Sequence, residues 1–199
     1  MSKKRVSMTE FAKAILQTGS GKNSSYRAIK AQGPYDVKTD YYKRIRESMI
    51  SVASGRMSFS NLYDLIDAVP KKKKKGYEET IDALNSWYSS FGGEFFSPHR
   101  TVLQSDYFDV SVNPEIGIKL DGKVYVVKMY FKKPAISCDV MNCMGNAMKM
   151  ALDEYYECGI MCVLDVRRCS MWKVDRLDET MVDRINNGME ELSSQWRRL

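Results

Sequence analysis

Lys128 stands inside a run that is otherwise apolar or aromatic, Val124 to Phe131. A buried ammonium is costly unless it is paired or opens on a cleft, so this lysine needs a partner. Asp109, Glu115 and Asp165 lie on or beside segments that read as strands and are the candidates. On a strand, Lys128 shares a face with Val124, Val126 and Tyr130.

Two basic clusters come next. Arg167 and Arg168 follow Asp165 at the end of an apolar strand-like run, and strand ends are where clefts of α/β proteins form. Either the two arginines hold phosphates by bidentate hydrogen bonds, or Asp165 pairs internally with Lys128 or an arginine. Lys71, Lys72, Lys73, Lys74 and Lys75 form an unbroken run. Like charges repel in a compact helix, so the run reads as exposed and mobile. A solvated linker, a nucleic-acid contact and a targeting signal are its three readings.

Other chemistries find little support. The chain has no phosphate loop of Walker type and no GxGxxG fingerprint. Its one histidine, His99, has no nucleophile motif beside it. The five cysteines, Cys138, Cys143, Cys158, Cys162 and Cys169, are odd in number and lack paired zinc spacing, so they read as buried free thiols. No apolar run approaches the roughly 20 residues of a membrane span, and no signal-peptide segment follows the basic start. These features argue against secretion and place the chain in the cytoplasm, with no membrane partner.

The net charge of +6 hides an asymmetry. Residues 1–75 carry 17 Lys and Arg against 6 Asp and Glu, a net of +11. Residues 76–199 carry 14 against 19, a net of −5. The basic part either meets a polyanion, DNA or RNA, or serves docking, on the acidic part or on a protein partner.

The elements that must position these residues can be read from periodicity. Ser7-Met8-Thr9-Glu10 reads as a capping box opening a short helix that ends at Gly19. Residues 18–37 are rich in Gly, Ser, Asn and Lys and read as a flexible loop. Helical patterns run from Asp40 to Gly55, and from Ser58 or Ser60 to Pro70. Tyr77, Ile81, Leu84, Trp87, Tyr88 and Phe91 recur at helical spacing up to Gly92. The period then changes to two, from Phe108 to Leu120, and Asp121-Gly122 signals a hairpin turn into the Val124–Phe131 strand. A helix over about 139–157 carries a methionine stripe that reads as core. A buried strand over 160–166, a short strand over 171–174 and a helix over about 178–197 complete the chain. The fold class is mixed α/β: a basic helical region with a flexible loop over 1–75, then a mixed sheet flanked by helices over 76–199.

A hairpin with an acid on its first strand and a lysine on its second, between helices and followed by helix and strand, resembles the PD-(D/E)xK nuclease superfamily over roughly residues 76–174. The resemblance implies a restriction-endonuclease-like core. It further implies a catalytic set of Glu115, Lys128 and Asp109, with Glu115 and Asp165 as ligands of Mg²⁺. The motif is incomplete. Val126 stands where an acid is expected two residues before the lysine, and the first-strand acid would fall near Gly117. Asn113-Pro114-Glu115-Ile116-Gly117, Val127-Lys128-Met129-Tyr130-Phe131 and Leu164-Asp165-Val166-Arg167-Arg168 also resemble motifs of a bacterial protein group, which implies no reaction. The expectation is a nucleic-acid-associated protein whose nuclease-like core no longer cuts, with Arg167, Arg168 and Lys71–Lys75 as contacts. A protein–protein module and an active Mg²⁺-dependent nuclease with a migrated acid are the alternatives.

Overall fold

The computed structural model describes residues 3–33 and 40–198. Strand β1 (Lys4–Ser7) leads into helices α1 (Met8–Ile15) and α2 (Gly19–Ala31). Helices α3 (Lys43–Ala53), the single turn α4 (Asp64–Asp67) and α5 (Lys71–Ser89) come after them. Then come β2 (Glu94–Phe96), β3 (Thr101–Gln104), β4 (Phe108–Val112), β5 (Ile116–Leu120) and β6 (Lys123–Tyr130). Helix α6 (Cys138–Leu152), β7 (Ile160–Asp165), β8 (Ser170–Val174) and α7 (Glu179–Arg198) end the chain. The fold is mixed α/β, as its periodicities predict.

The strands form two sheets, one ordered β1-β4-β3 and one ordered β2-β5-β6-β7-β8. In each, one pair is parallel, β1 with β4 and β6 with β7, and the rest are antiparallel. The α6 crossover supplies the parallel β6–β7 step. Alternation along β6 sorts its side chains to two cores. Val126 and Tyr130 face a cluster built with α1, α6, α7 and the three-stranded sheet, where Phe11, Phe108, Val110, Met144 and Ile185 are buried. Val127, Met129 and Phe131 face the other, with Ile45 and Met49 of α3 and Tyr77, Ile81 and Leu84 of α5. The methionine stripe of α6, Met141, Met144 and Met148, lies in the first core as expected.

Several expectations change on folding. The single mixed sheet expected is two sheets, and the alternation from Phe108 to Leu120 is divided between them. It breaks at Asn113-Pro114, where proline cannot donate to a ladder, and the halves enter different sheets. The expected loop over 18–37 contains α2 instead. Tyr26 and Ile29 bury against the first core, and that packing overrides the weak helix propensity of its glycines and serines. Residues 34–37 of that expectation lie outside the described residues. Gly19 starts α2 in the left-handed region (φ +57) rather than closing α1, and Ser7 makes no side-chain cap. The lysine run is no linker but the start of α5, anchored by Tyr77, Ile81, Leu84 and Trp87. The division expected after residue 75 therefore falls within α5. Of the five free thiols, only Cys143 and Cys162 are buried, and burial pushes both up to about 12. Cys138, Cys158 and Cys169 are exposed.

The N-terminal segment belongs to the same core as the α/β part. Val6 of β1 and Phe11 of α1 are buried among α6 and α7 residues. Phe11→Ala should therefore destabilise the whole molecule by about 3–5 kcal/mol. Urea unfolding followed by tryptophan fluorescence and by circular dichroism should show one transition, shifted as a unit. Two separate transitions would mean that the N-terminal helices form an independent unit.

Candidate functional site

The hairpin builds its ion pair from the backbone outward. Asp121 and Gly122 both adopt positive φ (50° and 72°), the signature of a two-residue hairpin turn, which sets Gly117 opposite Val126. Glu115 extends the ladder by one residue, its N–H donating to the Val127 carbonyl at 3.0 Å. Its side chain then lies over β6. Oε1 meets Lys128 Nζ at 2.5 Å and Oε2 accepts from the Met129 N–H at 2.8 Å. Lys128 Nζ also donates to the Asn113 carbonyl at 3.0 Å. Glu115 and Lys128 are 1% and 11% exposed at their side chains. The lysine's sequence-predicted partner is thus Glu115, and both carboxylate oxygens are already used.

The other acids go elsewhere. Asp109 lies on β4, in the three-stranded sheet, 3.9 Å from Arg5 Nε. Asp165 ends β7 opposite Tyr130, on the Lys128 face of the sheet, but its two oxygens accept from Arg168 at 3.4 and 3.0 Å. Phe96 of β2 pairs with Gly117, and a Cβ at Gly117 would overlap the Phe96 ring. The ring occupies the space in which a first-strand acid would stand. Among the described residues no three His, Cys, Asp or Glu side chains come together to hold a metal ion. Glu115, Asp109 and Asp165 therefore do not assemble the Mg²⁺ site that the nuclease resemblance implies, and no hydrolytic step can be derived from them.

A second grouping forms where β6 and β7 end. Phe131, just past β6, stacks on Tyr42 with ring centroids 5.4 Å apart. Tyr41 packs on the start of α5, its hydroxyl donating to the Lys73 carbonyl at 3.2 Å and its ring under Lys73 Nζ at 5.1 Å. Gly76 makes room for it, since a Cβ there would lie 2.5 Å from the Tyr41 hydroxyl. Lys71, Lys72 and Lys75 are exposed at the helix start, while Lys73 and Lys74 are half-buried and Lys74 pairs with Asp67 at 2.7 Å. Arg167 reaches α5 and bonds Glu79 at 2.9 Å. Arg168 turns the other way and also donates to the Lys133 carbonyl at 3.0 Å. The two arginines therefore diverge instead of forming one clamp.

Exposed Lys132 and Lys133 complete this edge. On the opposite face of the sheet, Lys13 of α1 approaches the Tyr130 hydroxyl at 3.4 Å. Burial raises the pKa of that phenol, and the nearby Lys132 opposes the shift. Burial also works against the charge of Arg167, but Glu79 and Tyr42 outweigh it and raise its pKa. One crest at the carboxyl ends of β6 and β7 thus carries Lys71–Lys75 and Arg167 beside Tyr41 and Tyr42, with Lys132, Lys133 and Arg168 turned toward Tyr130. Sequence reasoning missed both tyrosines and Lys132-Lys133. The Tyr41-Tyr42-Lys43-Arg44 succession was the available signal.

No family model matches the chain, and no curated protein matches it. Among solved structures, it is similar to one described as "Crystal structure of SSO0001", at 10% identity and a TM-score of 0.43, over 96% of this chain and 78% of that one.

Removing one partner of the hairpin pair strands the other. Lys128→Ala should cost about 3–5 kcal/mol, because it leaves the Glu115 carboxylate buried and unpaired. Glu115→Gln with Lys128→Met keeps an acceptor for the Met129 N–H and removes both charges, so it should recover at least half of that loss. Chemical denaturation of the three proteins checks this. A double variant as unstable as Lys128→Ala would show that packing, not the stranded charge, carries the cost.

Proposed function

We propose that the protein binds nucleic acid along the basic crest at the ends of β6 and β7, and that the Glu115–Lys128 pair is a scaffold rather than a cutting centre. The carrying observation is one continuous chain of contacts. Lys73 to Tyr41, Tyr41 to Tyr42, Tyr42 to Phe131 and Arg167 to Glu79 join α3, α5, β6 and β7 along one edge. It gathers cations from segments nearly 100 residues apart and sets aromatic rings among them, the combination that holds a phosphate backbone. Lys128 contributes no free charge, since Asn113 and Glu115 hold it.

Lysine contacts release counterions, so binding should weaken steeply with salt. Replacing Lys71, Lys72 and Lys75 by Gln should lower the salt slope on duplex DNA by about 0.9 for each phosphate left without its lysine, and do so alike for unrelated sequences. Fluorescence anisotropy across a salt series reads this. Affinity that stays flat from low to high salt would move the reading to a protein partner.

Cleavage is a separate outcome. With Mg²⁺ or Mn²⁺, neither DNA nor RNA should be cut. Cleavage by the wild-type protein that disappears in a folded Glu115→Gln/Lys128→Met variant would assign chemistry to the pair and overturn its scaffold role.

A further inference from the structure

We propose that Glu79 is an internal competitor for nucleic-acid phosphate at Arg167, restraining the crest until the ligand displaces its carboxylate. This rests on the crest being a nucleic-acid interface. Four observations carry it. Arg167 lies just past the end of β7, beside Tyr42 and near Tyr41, where a phosphate on the crest would arrive. Its bond to Glu79 is a single prong, Nη2 to Oε2 at 2.9 Å, not the two-pronged fork a guanidinium makes with an oxyanion. Nη1 is buried with no hydrogen-bond partner, so the donor set of the guanidinium is not filled. The two partners are also unequally placed: Arg167 is 18% exposed and Glu79 is 45% exposed.

That inequality gives the pair a direction of opening. Arg167 is held by the strand end and by α5, whereas the Glu79 carboxylate can swing into water and be hydrated there. A phosphate oxygen taking its place keeps the guanidinium paired through the exchange. Once displaced, the carboxylate no longer sets its negative charge against the incoming phosphate. The strength of the Glu79–Arg167 pair is thus subtracted from the strength of nucleic-acid binding.

The test uses the full chain, a labelled single-stranded oligonucleotide and its duplex, and anisotropy at fixed low salt. Glu79→Gln should tighten binding roughly two- to fivefold, the range expected for a partly exposed ion pair. Glu78→Gln removes the same charge from the adjacent exposed position and should give a smaller gain. In an Arg167→Ala background, the gain from Glu79→Gln should shrink to that of Glu78→Gln. Arg167→Lys, with thermal melts of every variant, separates loss of the fork from loss of the fold. Equal gains from Glu78→Gln and Glu79→Gln, or a Glu79→Gln gain that survives undiminished in Arg167→Ala, would reduce the effect to net charge and overturn the competitor role. A wild-type protein that binds neither probe would overturn the crest reading itself.

Discussion

The hydrogen-bonded pair of Glu115 and Lys128 is the constraint around which both sheets are arranged. Taking two charges out of water costs more than their attraction returns unless every remaining lone pair and proton finds a partner. Here Glu115 uses both oxygens, on Lys128 and on the Met129 N–H, and Lys128 adds the Asn113 carbonyl. Those partners lie on both sides of Pro114. The pair therefore fixes where the chain leaves β4 and enters β5. A chain that slipped by one residue would turn Lys128 into the opposite core, among the surroundings of Val127, Met129 and Phe131. The ion pair thus reinforces the register of β5 on β6 that the Asp121-Gly122 turn sets.

That register fixes the central strand, and the central strand delivers Tyr130 and Phe131 to opposite faces at its end. Phe131 receives Tyr42, which places the start of α3. Tyr41 then docks into the space left by Gly76 and places the start of α5. On the other face Tyr130 meets Lys13 and donates to the Pro134 carbonyl, steering the chain toward α6. The crest is thus a consequence of the sheet's register, although its cations come from separate segments of the chain.

Local patterns made much of this legible in sequence. The hairpin was readable because Asp121-Gly122 has little alternative to a tight turn, and α6 and α7 because their apolar stripes are long. Lys128 announced its need for a partner by standing alone in an apolar run. Other features had no local signal. Val6 is one buried residue in a basic tetrapeptide, and only pairing with β4 makes it a strand. Helix α2 is written in poor helix formers, so its existence depends on Tyr26 and Ile29 finding a core supplied by distant segments. The two-sheet division turns on Asn113-Pro114, where alternation continues in sequence while the chain changes direction. The vacant motif positions at Gly117 and Val126 were legible, but the reason was not, since Phe96 arrives from a strand of three residues.

The start of α5 is the place where local and global preferences disagree most. Five lysines occupy the helix end that already carries the positive pole of the peptide dipoles, with no acid in the first turn. Each repels its neighbours, and Pro70 at the cap position offers no side-chain oxygen to the free amides. A helix chosen for stability alone would carry Asp or Glu there. The cost is met further along, by Tyr77, Ile81, Leu84 and Trp87 packed under the sheet and by Tyr41 laid against the first turn. Sequences keep such conflicts where another demand outweighs stability. Positive charge concentrated at a strand-end edge, rigidly held beside half-exposed aromatic rings, is costly for an isolated chain and favourable for one that meets a polyanion. The first acids of α5 come only at Glu78 and Glu79, beyond its opening turn, and Glu79 holds Arg167.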